Sequence, residues 1–210
     1  MNYKFITVEG NIGAGKTTLS QLLQQHFGAK LILEQFADNP FLPKFYENRD
    51  KYSFPLELSF LAERYKQLKE MLNTRDLFNQ YIISDYLFIK SKLFAKVNLL
   101  EDEYKLFETL FDIIYPNLPE PDVVIYLHAP LDKLKWNIKS RNRAYEQNMD
   151  EQYLIQIQSA YLQLIKSEKY RTLIIDTTEA DFLNNASHFQ KLLSMLEKEY
   201  PIGLHYLHFG

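Results

Sequence analysis

One short stretch near the amino terminus constrains this chain more than any other. Gly10-Asn11-Ile12-Gly13-Ala14-Gly15-Lys16-Thr17 satisfies the pattern G-x-x-x-x-G-K-[ST] in full. An apolar run, Phe5-Ile6-Thr7-Val8, precedes it, and a helical pattern with Leu19, Leu22, Leu23 and Phe27 follows. The chain has 210 residues and only 6 glycines, and three of those, Gly10, Gly13 and Gly15, fall inside this stretch. Glycines there let successive N–H groups turn inward around a phosphate. The helix that follows points the positive end of its dipole at the same anion. Lys16 is placed to reach the outer phosphates, and the Thr17 hydroxyl to hold Mg²⁺. Gly10, Asn11, Ile12, Gly13, Ala14, Gly15, Lys16, Thr17 and Thr18 form the expected nucleotide-binding set. The motif does not separate a kinase from an ATPase or a GTPase switch.

Around the motif, short apolar runs alternate with helical patterns. Strands are expected at 5–8, 31–33, 81–84, 123–127 and 173–175, with Gly28 a helix stop before the second. Helices are expected at 16–27, from Ser53 as cap to about 72, at 87–97, 101–114, 131–140, 150–168 and 183–199. Pro40 and Pro43 read as loop breakers. Five continuously apolar strands interleaved with helices predict a single α/β domain over 1–210, a five-stranded parallel sheet with helices on both faces. Residues 200–210 stay unassigned.

Composition narrows the function classes. Apolar residues at 46% and 15 Phe, 15 Tyr and 1 Trp suffice for a large core. The net charge of −3 gives no basic field for nucleic acid. With no Cys, disulfides, thiolate metal sites and cysteine nucleophiles are excluded, and a reducing cytoplasm is the compatible setting. No uncharged run approaches the ~18 residues of a membrane span.

In open α/β sheets, ligands sit beyond the carboxyl ends of the strands. Glu34 follows the second strand and Asp85 the third. Asp85 stands where a phosphate-loop enzyme keeps its metal-directed acid, and Glu34 is a candidate base for a substrate hydroxyl. The alternative for each is a solvated loop acid or helix cap. On a helix from 54 to 72 at 100° per residue, with Glu57 at the origin, Phe60 falls at about −60°, Leu61 +40°, Arg64 −20°, Leu68 +20° and Met71 −40°. Glu57 and Arg64 thus lie inside an apolar stripe, about 10.5 Å apart along the axis. A flat polar ligand would satisfy both, or each finds a separate partner. Lys139, Arg141 and Arg143, followed by Glu146, form a basic turn that reads as a lid over transferring phosphates or as a solvated loop.

These residues together resemble the deoxynucleoside kinase family. The resemblance runs from Met1 to about Asp181 and is carried by EGNIGAGKTT, EQFADNPFLPKFYEN, FPLELSFLAERY and RNRAYEQ. It implies an ATP- and Mg²⁺-dependent enzyme acting on a small nucleoside, commonly a homodimer. It implies Glu34 as base on the 5′-hydroxyl, and Tyr46 with Glu146 on the 3′-hydroxyl. Arg141 and Arg143 become lid arginines in a lid over 139–149, catalytic together with Lys16. Arg64 falls at the base end of the pocket, and Asp85 beside the substrate and metal. The chain departs from the family pattern in three places. Tyr86 replaces an arginine after the metal acid, Glu57 replaces a base-reading glutamine, and Ser91 replaces an aspartate, a loss that would free Arg64 to point at the base. An ionised Glu57 offers acceptors only, which suits the adjacent N1–H and N2–H₂ donors of guanine, while O6 and N7 suit an arginine fork. Deoxyguanosine is therefore the expected substrate, with deoxyadenosine next. A protonated Glu57 would mimic glutamine. The competing functions are a thymidylate kinase-like monophosphate kinase and a non-catalytic nucleotide switch.

Overall fold

A computed structural model describes residues 2–36, 39–73, 81–147, 149–166 and 169–209, with the backbone alone for 71–73. The strands are β1 (Phe5–Gly10), β2 (Lys30–Ile32), β3 (Ile82–Ser84), β4 (Val123–His128), β5 (Arg171–Asp176) and β6 (Gly203–Leu207). The α-helices are α1 (Lys16–Phe27), α2 (Leu42–Glu47), α3 (Arg49–Asn73), α4 (Lys90–Asn98), α5 (Glu101–Ile114), α6 (Leu131–Ser140), α7 (Glu151–Ile165) and α8 (Ala186–Leu196). All strand pairings are parallel, in the order β2-β3-β1-β4-β5-β6. The chain leaves β1 for β2 and β3 on one side, then crosses to β4, β5 and β6 on the other. The carboxyl end of β1 therefore lies at the switch point, where such sheets bind ligands.

Each long strand is apolar throughout because both faces are covered. Ile125, Leu127, Leu173 and Ile175 pack with Leu19 and Leu23 of α1, Leu134 of α6 and Leu192 and Leu196 of α8. Their neighbours Tyr126 and Ile174 point the other way, against Tyr153, Ile157 and Tyr161 of α7. Leu61 and Leu68 of α3 and Phe107 and Phe111 of α5 complete that second face.

The sharp turn after β1 needs glycine. A Cβ on Gly10, at φ +153, would stand 2.7 Å from the Leu127 carbonyl oxygen; one on Gly13, at φ +83, would stand 2.9 Å from that of Leu134. The phosphate loop thus packs directly on β4 and α6.

The sheet has six strands, not five. The unassigned tail supplies β6, with Leu204 in register with Thr172 and Leu207 with Ile175. Residues 42–47, read as broken by proline, form α2, because Pro43 sits in the first turn, where its missing N–H costs nothing. Ser53 is not a cap. Its hydroxyl donates back to the Arg49 carbonyl (2.7 Å), and Asn48 Oδ1 accepts from the Lys51 N–H (3.2 Å), so α3 starts four residues earlier than expected. Other boundaries move by up to three residues, apart from 16–27, 101–114 and 131–140, which stand as expected. The side chain of Met71 and residues 167–168 of the expected helix 150–168 lie outside the described residues.

Leu207 and Phe209 are buried in the core while Tyr206 is 67% exposed. Leu207→Ala is therefore expected to cost about 2–3 kcal/mol in urea unfolding, and Tyr206→Ala within about 0.5 kcal/mol. Equal, small effects at both positions would show that the tail is not part of the sheet.

Candidate active site

Beneath the phosphate loop lies a buried acid, Glu9. Its carboxylate accepts from the Leu87 N–H (2.6 Å), the Tyr161 hydroxyl (2.8 Å) and the Gly10 N–H (3.1 Å). Two segments distant in sequence are thereby pinned to the end of β1. Asn11 faces away from any ligand, donating to the Leu154 carbonyl (2.8 Å) and holding the Ile12 N–H (2.8 Å). Asn137 of α6 donates to the Gly13 carbonyl (2.7 Å). Lys16 Nζ is folded back on the carbonyls of Gly10 and Asn11, both at 3.0 Å. Burial, then the charge of Lys90, lowers the Lys16 ammonium to a pKa of about 8.

Two cavities meet at this loop. The first encloses about 810 Å³ and is lined by Glu34, Tyr46, Glu57, Arg64, Asp85 and Glu146, among others. The second encloses about 1530 Å³ and runs from the phosphate loop to the segment 177–184 after β5. Gly13, Lys16, Thr17, Arg141 and Arg143 line both. Ala14, Gly15 and Thr18 line only the second and Ile12 only the first, whereas Gly10 and Asn11 line neither and act as supports.

At the junction, Asp85 joins the elements. Its Oδ2 accepts from the Thr17 hydroxyl (2.6 Å) and its Oδ1 from the Glu34 N–H (2.7 Å). The carboxylate and hydroxyl are hard oxygen donors side by side. That donor set fits Mg²⁺, which takes one or two protein oxygens and fills its remaining positions with water and phosphate.

Glu34 is held from two sides. Arg64 donates from Nε (2.9 Å) and from Nη2 to Oε1, and Lys90 Nζ lies 3.0 Å from Oε2. Burial alone would raise the carboxyl's pKa; Lys90, Arg64 and Lys16 outweigh it and hold the group well below the usual carboxylate range. Burial would lower the Arg64 pKa, yet Glu34 raises it above its ordinary value. The loss of an aspartate at position 91 does not free Arg64. Nη1 donates to the Ser91 hydroxyl at 2.7 Å, because a guanidinium only 3% exposed must fill its donors from whatever is near. Three of its five N–H groups are engaged, leaving one on each terminal nitrogen.

Glu57 and Arg64 thus find separate partners. Glu57 Oε1 accepts from Asn98 Nδ2 (2.7 Å), which also donates to the Tyr153 hydroxyl (3.1 Å). Glu57 Oε2 is buried and without a partner. Burial raises this carboxyl to a pKa of about 7, against the pull of Asn98 and Arg64. Phe36, Phe45, Phe60 and Phe94 line the same cavity and give it flat apolar walls.

Tyr46 and Glu146 line this cavity together, with Tyr46 stacked on Tyr145 (centroids 5.8 Å apart). Glu146 lies in a short 3₁₀ turn, Ala144–Glu146, and is 4% exposed. Arg141 Nε and Nη2 both reach its Oε2 at 2.6 Å, and Arg143 Nη1 its Oε1 at 3.4 Å. Arg143 also stacks over Phe36, 3.8 Å from the ring centroid.

Sequence reasoning missed Glu9, Lys90, Asn98 and Tyr153. The stripe test that singled out Glu57 also flags Lys90. With Lys90 at the origin of its helix, Leu93 falls at about −60°, Phe94 at about +40° and Val97 at about −20°. Asn98 and Tyr153 carry no comparable signal.

The deoxynucleoside kinase family model matches residues 6–200. The chain is 37% identical to the deoxyguanosine kinase of Bacillus subtilis (strain 168), over 92% of this chain and 96% of that one. It is 30% identical to that organism's deoxyadenosine/deoxycytidine kinase, over 91% and 90% of the two chains. A solved structure of deoxyadenosine kinase from M. mycoides, with dCMP and a flexible dCDP bound, superposes with a TM-score of 0.81 at 24% identity, covering 92% and 98%. The phosphate loop, the acids at the strand ends and these matches agree: the chain belongs to the deoxynucleoside kinase family and is an enzyme that phosphorylates nucleosides.

Proposed function

We propose that the enzyme transfers the γ-phosphoryl group of ATP to the 5′-hydroxyl of a purine deoxynucleoside, with deoxyguanosine favoured. The observation that carries the reaction is the meeting of two cavities at Lys16, Thr17, Arg141 and Arg143, with the Glu34 carboxylate on the first cavity's side. The second cavity suits the donor nucleotide, whose phosphates would lie along the loop N–H groups. Of the cations lining the first cavity, Arg64 and Lys90 are held by Glu34, and Arg141 and Arg143 by Glu146, which suits a neutral acceptor better than one that already carries a phosphate.

Glu34 serves as an acceptor for the 5′-hydroxyl proton. Held so far below the usual carboxylate range, it is a weak base. Its work is to orient the hydroxyl and take the proton late, which suits the loose transition state of phosphoryl transfer. Tyr46 and Glu146 hold the 3′-hydroxyl. Lys16, Arg141 and Arg143 stabilise charge on the transferring group. Thr17 and Asp85 would hold Mg²⁺, which when bound neutralises the phosphates and orients them. Homodimer formation, carried over from the resemblance, is read directly by sedimentation velocity.

For the base, the carrying observation is the unpartnered Glu57 Oε2 together with the two unused N–H groups of Arg64. Ionised Glu57 accepts from guanine N1–H and N2–H₂, and Arg64 donates to O6 or N7. The protonated acid, a donor and an acceptor like an amide, suits adenine.

Three outcomes are expected. Glu34→Gln should lower kcat by about 10²-fold or more while ATP affinity stays within about threefold; wild-type turnover would remove Glu34 from the reaction. The ratio of kcat/KM for deoxyguanosine over deoxyadenosine should rise as pH climbs through about 7, where Glu57 ionises. Of the groups around Glu57, Glu34 is held well below that range, and Arg64 and Tyr153 are pushed above their ordinary high values. Glu57→Gln should flatten that profile and move preference toward deoxyadenosine; an unchanged ratio would sink the clamp. The same substitution tests the acid's cost to folding. A carboxyl raised from 4.5 to about 7 in the folded state favours folding below pH 4.5, and that advantage disappears as pH rises to about 7. Glu57→Gln should therefore stabilise the protein at pH 8, by up to roughly 3 kcal/mol, and change little at pH 4.5. Equal effects at both pH values would mean that burial does not hold the acid protonated.

A further inference from the structure

Lys90 is 3% exposed, lines the first cavity and sits at the first residue of α4. Burying an ammonium is costly unless it is paired. The amino terminus of a helix is also the wrong end for a cation, since the helix dipole is positive there. Helix stability therefore does not account for a lysine at this position. Its strong partner is Glu34 Oε2, at 3.0 Å, with the Phe94 ring 5.5 Å away.

The hydrogen-bond capacity of Glu34 shows what this contact does. A carboxylate has about four lone-pair sites, two on each oxygen. Oε1 already accepts two N–H groups from Arg64. Oε2 accepts from Lys90 alone and keeps one site open. An acceptor hydroxyl that docks on Glu34 docks on the oxygen that Lys90 holds, with the ammonium beside the attacking oxygen.

A second observation points to the same place. Asp85 is followed by Tyr86, which brings no positive charge. Its side chain is 1% exposed, its hydroxyl donates to Gln67 Oε1 (2.8 Å), and burial pushes its pKa far above the usual value. The segment after β3 thus leaves the junction without a cation of its own, and α4 brings one in four residues later.

We propose that Lys90 is the positioning residue for Glu34: with Arg64 its charge, which Tyr86 does not bring, fixes the carboxylate so that Oε2 receives the nucleoside hydroxyl. The proposal rests on the reading of Glu34 as the hydroxyl's acceptor. It assigns Lys90 to phosphoryl transfer and not to nucleotide binding, because the lysine lines the first cavity and not the second.

The test is steady-state kinetics with ATP and deoxyguanosine or deoxyadenosine on Lys90→Met, Lys90→Arg, Glu34→Gln and the Glu34→Gln/Lys90→Met double variant. ATP affinity and Tm are measured on each. Lys90→Met should lower kcat by about 10²-fold, with ATP affinity within threefold and a lower Tm, because Glu34 loses one of its two ionic partners. Lys90→Arg should recover kcat to within tenfold of wild type. The double variant should be no slower than Glu34→Gln alone, because the lysine acts through the glutamate. Lys90→Gln keeps a donor for Glu34 without the charge, and gives the same readings if the Met variant does not fold. Wild-type kcat in Lys90→Met, a loss of kcat and Tm together that Arg does not restore, or additive losses in the double variant would each overturn the proposal. Wild-type turnover in Glu34→Gln would instead overturn the reading of Glu34, and it is seen in that variant alone.

Discussion

Carboxylates buried at the carboxyl edge of the sheet must be satisfied, and the site is assembled by satisfying them. An unpaired acid in the interior costs several kcal/mol, comparable to a large part of a domain's stability. Glu9 solves this by drawing together its own loop, the segment after β3 and α7. Asp85 draws the first turn of α1 to the segment after β2. Glu34 draws α3 and α4 to that same segment. Each acid stands at the end of a different strand and takes at least one donor from a helix: Tyr161 of α7 for Glu9, Thr17 of α1 for Asp85, and Arg64 of α3 and Lys90 of α4 for Glu34. The reacting groups are therefore fixed by the same bonds that close the fold over the sheet.

This arrangement fixes the electrostatics as well. Lys16, Arg64, Lys90, Arg141 and Arg143 converge on a junction where phosphate charge would pass, and in the free enzyme they rest on Glu34, Glu146 and backbone carbonyls. Arg141 commits two of its five N–H groups to Glu146 and Arg143 one. Arg141 and Arg143 therefore keep donors free, which a phosphate could take without their giving up Glu146. Preorganisation of this kind reduces the rearrangement needed at the moment of transfer.

Much of this was legible in the sequence, for reasons that particular residues make plain. The phosphate loop was legible because its glycines answer a steric demand, the closeness of β4 and α6, that no other residue meets. Glu34 and Asp85 were legible because they end apolar runs. The sixth strand was not. Leu204 and His205 are half-buried and Tyr206 is exposed, so an edge strand with one covered face shows neither a continuous apolar run nor clean alternation. The second helix was hidden because proline reads as a breaker, although it is welcome in a first turn. Lys90 was hidden because its partner lies 56 residues away, and no local pattern announces a pairing of that range. The relatives cover almost the whole chain, so the family is secure where local pattern is weakest.

The base end of the pocket shows how structure sharpens what a stripe of residues only suggests. Two charges inside an apolar face implied a shared polar ligand or separate partners, and the structure shows the separate partners. Asn98 takes one oxygen of Glu57, and Glu34 with Ser91 takes three N–H groups of Arg64. What remains is one carboxylate oxygen and two N–H groups, a smaller and more specific set than the residues themselves. Among the described residues, the other buried side-chain atoms without a partner are hydroxyls, Thr7 Oγ1, Ser20 Oγ and Thr177 Oγ1. A hydroxyl left unpaired costs far less than a carboxylate, so these three are tolerable in a core while Glu57 Oε2 is not. An acid kept in that condition is stabilised either by a proton or by a ligand that donates to it. Guanine would supply two adjacent donors and a protonated acid supplies its own, so under the proposed reading base choice would be linked to the ionisation of Glu57.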